Sequence, residues 1–309
     1  MHLARTADGS PGIAWLKGMQ IVNGGQTTAS VYFSKKKTPE IDLGRVRIPA
    51  KIIRLRMDDP VGEEGLISDI SKYANSQNSV RLSDLSSNKP FHRRVEQLSL
   101  SVYCPDGVGR WFYERAAGSY KTMLAREGTT PAKLKKLKND IPFARKITKT
   151  DLAKFLNAWD CSPHLVSLGA QKNFERFMSG LADADGEEAR VPDVAAYKHM
   201  IAKAIIFKAT HKLVRPMFAA FQANISAYTV SVLSKKIGGR LDLDRIWQEQ
   251  DISRRLREQL QVWAQEVNDT LYASANGRMI SEWAKKAECW ETVQAVSLSS
   301  AMEGIPELR

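Results

Sequence analysis

From Tyr120 to about Val296, apolar residues recur at three- and four-residue spacing. That period commits the larger part of the chain to packed helices. One stripe runs through Val194, Tyr197, Ile201 and Ile205 to Leu213, with Pro192 near its start. The next runs through Met217, Phe218, Phe221, Ile225, Tyr228 and Val232, and Gly238-Gly239 breaks it. Leu243 to Leu271 predicts another amphipathic stretch, and residues 279–296 a last one with Ile280, Trp283, Ala287 and Trp290. Thr148-Lys149-Thr150-Asp151 ahead of Leu152, Phe155 and Leu156 reads as a helix start. Aromatic residues on these stripes read as core, and residues 297–309 as a flexible, fraying tail.

The residues before Gly118 follow another rhythm. Residues 1–18 read as a loose tail and 19–23 as a short apolar strand, with a helix from Thr27 to about Lys36. In VRIPAKIIRLRM, residues 46–57, apolar and basic residues alternate from Ile48 on, the pattern of a half-buried strand. Helices are expected over 63–76 and from Ser83 past Phe91 and Val95 to Leu98. Residues 101–104 and 110–113 read as two strands of a hairpin around Pro105-Asp106-Gly107-Val108-Gly109. The expected fold class is α+β: a small mixed α/β front domain, 19–119, followed by a mainly helical domain, 120–296.

Composition narrows the function classes. The chain has 309 residues, 43% hydrophobic and 26% charged, enough for a sizeable core. No apolar run of about 18 residues occurs, so no membrane helix is expected, and the N-terminus lacks a secretory h-region. Cys104, Cys161 and Cys289 are odd in number and far apart, which suits a reducing cytosol and no disulfide framework. The five His form no metal-ligand pair, so no dedicated metal site is expected. The net charge of +12 favours polyanions as partners. Much of the excess lies between Arg110 and Lys154, where twelve basic side chains face Glu114, Glu127, Asp140 and Asp151. A nucleic-acid backbone suits that run; a solvated helix face is the alternative.

The stretch MQIVNGGQTTASVYF, residues 19–33, concentrates polar groups between a strand and a helix. Gly24 and Gly25 permit positive φ and close approach of a ligand to the backbone. Thr27 or Thr28 could cap the helix, whose first-turn N–H groups attract anions. Asn23 and Gln26 add neutral donors and acceptors, suited to a base edge or a sugar hydroxyl. Neither a Walker loop nor a dinucleotide fingerprint is present. A plain structural turn explains the same residues. Asn75, Gln77 and Asn78 form a second amide-rich segment near Arg81 and Asp84, and a polar helix end is its simpler reading. In RWFYERAAGSY, residues 110–120, alternation sends Phe112 to one side of a strand and Trp111 and Tyr113 to the other. Glu114 and Arg115 then sit at the strand end, where an Arg among aromatics suits a phosphate and a stacked base, or a salt bridge over the core.

The ordered segments GMQIVNGGQTTAS, YANSQNSVRLSDLSSNKPFHRRVE, WFYERAAGSY, ITKTDLAKFLNAWDCSPHLVSLGAQKNF, IWQEQDIS and EWAKKAECWE together resemble the AIPR family, the abortive phage infection proteins of bacteria. The resemblance spans about residue 17 to 292 and implies a cytoplasmic antiphage protein with other defence-system proteins as partners. Family members usually carry a long segment upstream of NGGQT. Here only the residues up to Val22 precede it, so the chain reads as the C-terminal part of a longer protein. The front half is also faintly similar to the ParB-like nucleotide-binding core and its DGQHR relatives, in which a glycine turn faces nucleotide phosphates. In this chain Gln26 and Thr27 replace the basic side chains, and Arg115 or Lys149 would have to supply the charge.

Three functions are therefore open. The first is a defence protein binding nucleic acid or nucleotide through Asn23, Gly24, Gly25, Gln26, Thr27, Thr28, Asn75, Gln77, Asn78, Glu114, Arg115 and Lys149. The second is a nuclease or phosphodiesterase in which Glu114, with Asp84 or another carboxylate, holds Mg2+ as cofactor. The third is a non-enzymatic sensor or adaptor for another defence component.

Overall fold

The computed structural model describes residues 2–5, 9, 11–15, 25–49, 51–52, 89–181 and 191–309. The expected strand 19–23 and helix 63–76 lie outside these residues. Where a loose tail is expected, His2–Arg5 (β1) and Pro11–Trp15 (β2) pair antiparallel instead. Gly9, at φ 84°, supplies a left-handed turn residue between them. Helix α1, Gly25–Lys37, matches the expected helix. Residues 46–49 and 51–52 are not the expected strand: they form no ladder, and Val46, Ile48 and Ile52 are exposed. Alternation specifies a strand only where a packed face receives its apolar side.

Helix α2, Pro90–Ser101, packs on the short strand β3, Phe112–Glu114. Residues 101–104 and 110–113 do not form the expected hairpin. The Asp106 carboxylate accepts the Val108 and Gly109 N–H groups, and one backbone bond joins Cys104 to Gly109. The strand partner of β3 is β4, Lys146–Thr148, lying parallel with Phe112 opposite Lys146 and Glu114 opposite Thr148. Where the helical period begins at Tyr120, the chain forms two helices: α3, Ser119–Glu127, and α4, Pro131–Asp140. Gly128 ends the first, and Thr130 caps the second ahead of Pro131.

Helix α5, Lys149–Trp159, starts as its sequence predicts. The Thr148 hydroxyl accepts the Asp151 N–H at 3.1 Å, and the Asp151 carboxylate accepts the Thr148 N–H at 3.3 Å. Then come α6, Pro163–Ser167; α7, Ala170–Leu181; α8, Val194–Met217; and α9, Gln222–Ile237. The expected helix 243–271 divides at Gln250 into α10, Leu243–Glu249, and α11, Arg254–Ser274. Short helices α12, Ile280–Trp283, and α13, Ala287–Ala295, follow.

The helical hairpin α8–α9 is the centre of the fold, with α5, α6, α10 and α11 around it. Residues Ile225 to Leu233 of α9 are buried without a break, so this stretch has no solvent face, while Lys235 and Lys236 near the helix end are exposed. Its hydroxyls are satisfied locally or across the packing: Thr229 donates to Ile225 O, Ser231 to Ala158 O, and Tyr228 to Ala284 O. One apolar core runs from Phe91 to Ile305 and crosses residue 119, where the sequence reading places a boundary. It holds Trp111 and Tyr113, while Phe112 joins Tyr120, Met123 and Ile141 in a second, smaller core. The alternation read in WFYER therefore holds, with β3 as the wall between two cores.

Residues 297–309 are packed, contrary to the expected fraying. Ile305 and Glu307 are buried. The Glu307 carboxylate accepts the Ser253 N–H and hydroxyl at the start of α11, at 2.5 and 2.7 Å. Trp263 Nε1 donates to Ser299 O, and Leu308 bridges to Leu241. This segment supplies polar partners that the ends and sides of α10 and α11 would otherwise lack.

Candidate functional site

Because β3 and β4 run parallel, their C-terminal ends coincide: Glu114 lies opposite Thr148, and Arg115 and Lys149 are the next residues after each strand. Parallel strand ends are a recurrent place for binding chemistry. Glu114 is buried on the side of the smaller core. Its carboxylate accepts Lys146 Nζ at 2.6 Å and the Tyr120 N–H at 3.3 Å. Arg115 lies on the other side and donates from Nε to Glu96 at 2.7 Å. Lys149 is buried in the first turn of α5.

Beneath these charges lies His92, fully buried on α2. Its Nδ1 is 2.6 Å from the Tyr113 hydroxyl and its Nε2 is 3.2 Å from Met178 Sδ. A thioether only accepts, so Nε2 carries the proton and Nδ1 accepts from Tyr113. Burial, with Lys149 and Arg115 nearby, lowers the imidazole pKa to about 4. Burial, reinforced by Glu96 and opposed by Arg115, pushes Tyr113 well above its ordinary value. His92 and Tyr113 are thus a neutral pair, and Lys149 and Arg115 are close enough to act on the imidazole through their charge. On the far side of β4, Lys208 Nζ donates to Ala144 O at 2.6 Å and Lys146 O at 2.9 Å, and lies 5.1 Å from the centre of the Trp111 ring. Burial lowers its pKa to about 8.

A family profile described as AIPR protein matches residues 1–275. The chain belongs to the AIPR family. Membership suggests a role in antiphage defence of the abortive-infection kind. No curated protein matches this AIPR chain, and no solved structure does.

In this AIPR protein, Asn23, Gly24, Asn75, Gln77, Asn78, Arg81 and Asp84 lie outside the described residues. Gly25, Gln26, Thr27 and Thr28 form the first turn of α1, which packs against α3, the helix after Arg115. Since α1 begins at Gly25, Thr27 and Thr28 fall inside the helix and not at the cap. Trp111, Phe112 and Tyr113 are all buried, so none is a stacking surface. Sequence reasoning missed His92, Glu96, Lys146 and Lys208. The apolar Phe91-His92 pair on the α2 stripe was the available sign of a buried histidine. The two lysines gain meaning only from the β3–β4 pairing. Between Trp111, Tyr113, Ile147, Leu152 and Tyr197 lies an apolar cavity of about 10 Å3, room for no more than one water.

Among the described residues no group of three or more His, Cys, Asp or Glu is placed to hold a metal, and no helix is long and apolar enough to cross a membrane. All three cysteines are free thiols.

The basic run separates into three kinds of charge. Lys146, Lys154 and Arg126 are spent on Glu114, Asp151 and Glu127. Lys149 is buried. Lys133, Lys135, Lys136 and Lys138 of α4 are exposed, and no carboxylate among the described residues pairs with them. Leu134 and Leu137 turn the other way, and Leu137 packs on the smaller core.

Proposed function

We propose that the chain is a cytoplasmic antiphage defence protein that binds nucleic acid or nucleotide. The supporting observation is the lysine face of α4: four exposed ammonium groups on a ten-residue helix, unpartnered among the described residues. Four neighbouring exposed ammonium groups suit a phosphate backbone, where each neutralised phosphate releases a counterion. In this reading NGGQTT, with Asn75, Gln77 and Asn78, belongs to a ligand-facing site in the α/β front part. Arg115, paired with Glu96, and Lys149, buried, add to the positive field at the strand ends, and the helical part shapes the site or contacts other defence proteins. Glu114 fits this reading better than metal-dependent cleavage, because its carboxylate is taken by Lys146 and the Tyr120 N–H.

The test is binding of labelled DNA and RNA by the full chain across a salt series. Binding at low salt that weakens linearly in log affinity against log salt is expected. Replacing Lys133, Lys135 and Lys136 by Glu should flatten that slope. No binding at low salt would overturn the reading.

A further inference from the structure

Two exposed aromatic rings, Phe143 and Tyr103, are tied to the C-terminal end of the lysine helix, the first along the chain and the second through Arg110. Phe143 follows α4 directly, in the turn Phe143–Arg145, and is 71% exposed. Its ring is buttressed, with the Tyr120 ring at 6.1 Å edge-on and Lys146 Nζ 5.2 Å from its centre. Tyr103 is 50% exposed, and the Arg110 guanidinium lies 5.1 Å from the centre of its ring. That guanidinium is held in turn by Leu100 O at 2.6 Å. Arg110 links the Tyr103 ring to the C-terminal end of α4. Arg110 N–H donates to Asp140 O, the last residue of α4, and Phe143 follows Asp140 by three residues, at most about 10 Å of chain.

A single exposed apolar residue is ordinary on a protein surface. Two aromatic rings, each set beside a cation and both connected to the end of a helix with four exposed lysines, are a different arrangement. We propose that this surface binds single-stranded nucleic acid, with the α4 lysines following the phosphates and Phe143 and Tyr103 stacking on bases. The inference rests on the nucleic-acid reading above and narrows it to unpaired strands. In a duplex the bases are stacked on each other, and their faces are closed to a side chain. In a single strand every base offers a π face, and an aromatic ring takes it with little regard to sequence. The same chemistry serves DNA and RNA. Apart from Asn139, the α4 face carries no amide to read a base edge, so the contact is expected to be sequence-tolerant.

The experiment measures affinity of the full chain, by fluorescence anisotropy, for oligothymidylate and oligouridylate of about 20 nucleotides and for a duplex of equal length. Single strands should bind more tightly than the duplex. Phe143→Ala and Tyr103→Ala should each weaken single-strand binding about tenfold and leave duplex binding unchanged. Phe143→Trp should restore affinity, and its fluorescence should fall as a base stacks on it. Preference for one of the two oligonucleotides identifies the source of the strand. Equal binding of duplex and single strand, unaffected by both alanine variants, would overturn this inference and leave the general reading standing. Absence of binding to all three probes would overturn both. Both rings are exposed, so the alanine variants should keep the parent's circular dichroism.

Discussion

His92 Nδ1 accepts a hydrogen bond from the Tyr113 hydroxyl at 2.6 Å, across the boundary between α2 and the β3 strand end. With the imidazole at about 4, His92 is neutral in the fold down to mildly acid pH, while in the unfolded chain it titrates near 6.5. Between those values the unfolded chain binds the extra proton, so His92 lowers stability as pH falls from about 6.5 towards 4. Urea denaturation across this range should show that loss. His92→Gln should be less stable at neutral pH and should show a shallower decline with acid.

Glu114 has two donors and little water. Glu114→Gln leaves Lys146 without its carboxylate and should cost about 1.5–3 kcal/mol, read from the denaturation midpoint at unchanged m. If Glu114 held a catalytic Mg2+, the same variant would abolish Mg2+-dependent cleavage. The expected outcome is a stability loss with any such cleavage unaffected.

Lys208 ties α8 to the segment leading into β4. Lys208→Met keeps the stem over Trp111 but strips donors from Ala144 O and Lys146 O, at a cost of about 1–3 kcal/mol. Because burial lowers its pKa to about 8 from an ordinary 10.5, the unfolded chain binds more protons between those values. Parent stability should gain from this group as pH rises through that window, and the variant should lack the gain.

The capping box at Thr148 is separable from the site charges. Burial raises the Asp151 carboxyl, but Lys154 and the bonds from Thr148 outweigh it and hold the group below its usual range. Thr148→Ala should cost about 1 kcal/mol. Thermal melts of Thr148→Ala and Thr148→Ser should differ, with serine near the parent.

Glu307 tests the packed C-terminal segment. Glu307→Ala removes both acceptors from Ser253 at the start of α11. A loss of about 1–3 kcal/mol is expected, together with faster amide exchange in the first turn of α11. A freely fraying tail would show neither.

The helices of the back part were legible because each carries its period and its punctuation locally. Pro192 ahead of Val194, Thr148 with Asp151, and Gly238-Gly239 after Ile237 are short-range signals that the fold obeys. The alternation in WFYER was legible for the same reason. Illegible were features that depend on a distant partner. The motif PDGVG makes a turn, yet β3 pairs with Lys146–Thr148 instead of with residues 101–104. The segment VRIPAKIIRLRM has a strand's pattern, but Ile48 and Ile52 face solvent. Residues 297–309 have little periodicity, and their order comes from Trp263, Ser253 and Asp242.

By itself the sequence determined the α+β class, the helix start at Thr148, the two-sided strand at Trp111–Tyr113 and the family signature, because local spacing and capping chemistry are written in adjacent residues. Only the tertiary structure decided what each charge and ring is for. Trp111, Phe112 and Tyr113 went inside, while Phe143 and Tyr103 stayed outside beside cations. Glu114 lies opposite Thr148, the residue before Lys149, because two three-residue strands run parallel. Burial and pairing are properties of which elements touch, and no residue's neighbours in sequence can state them.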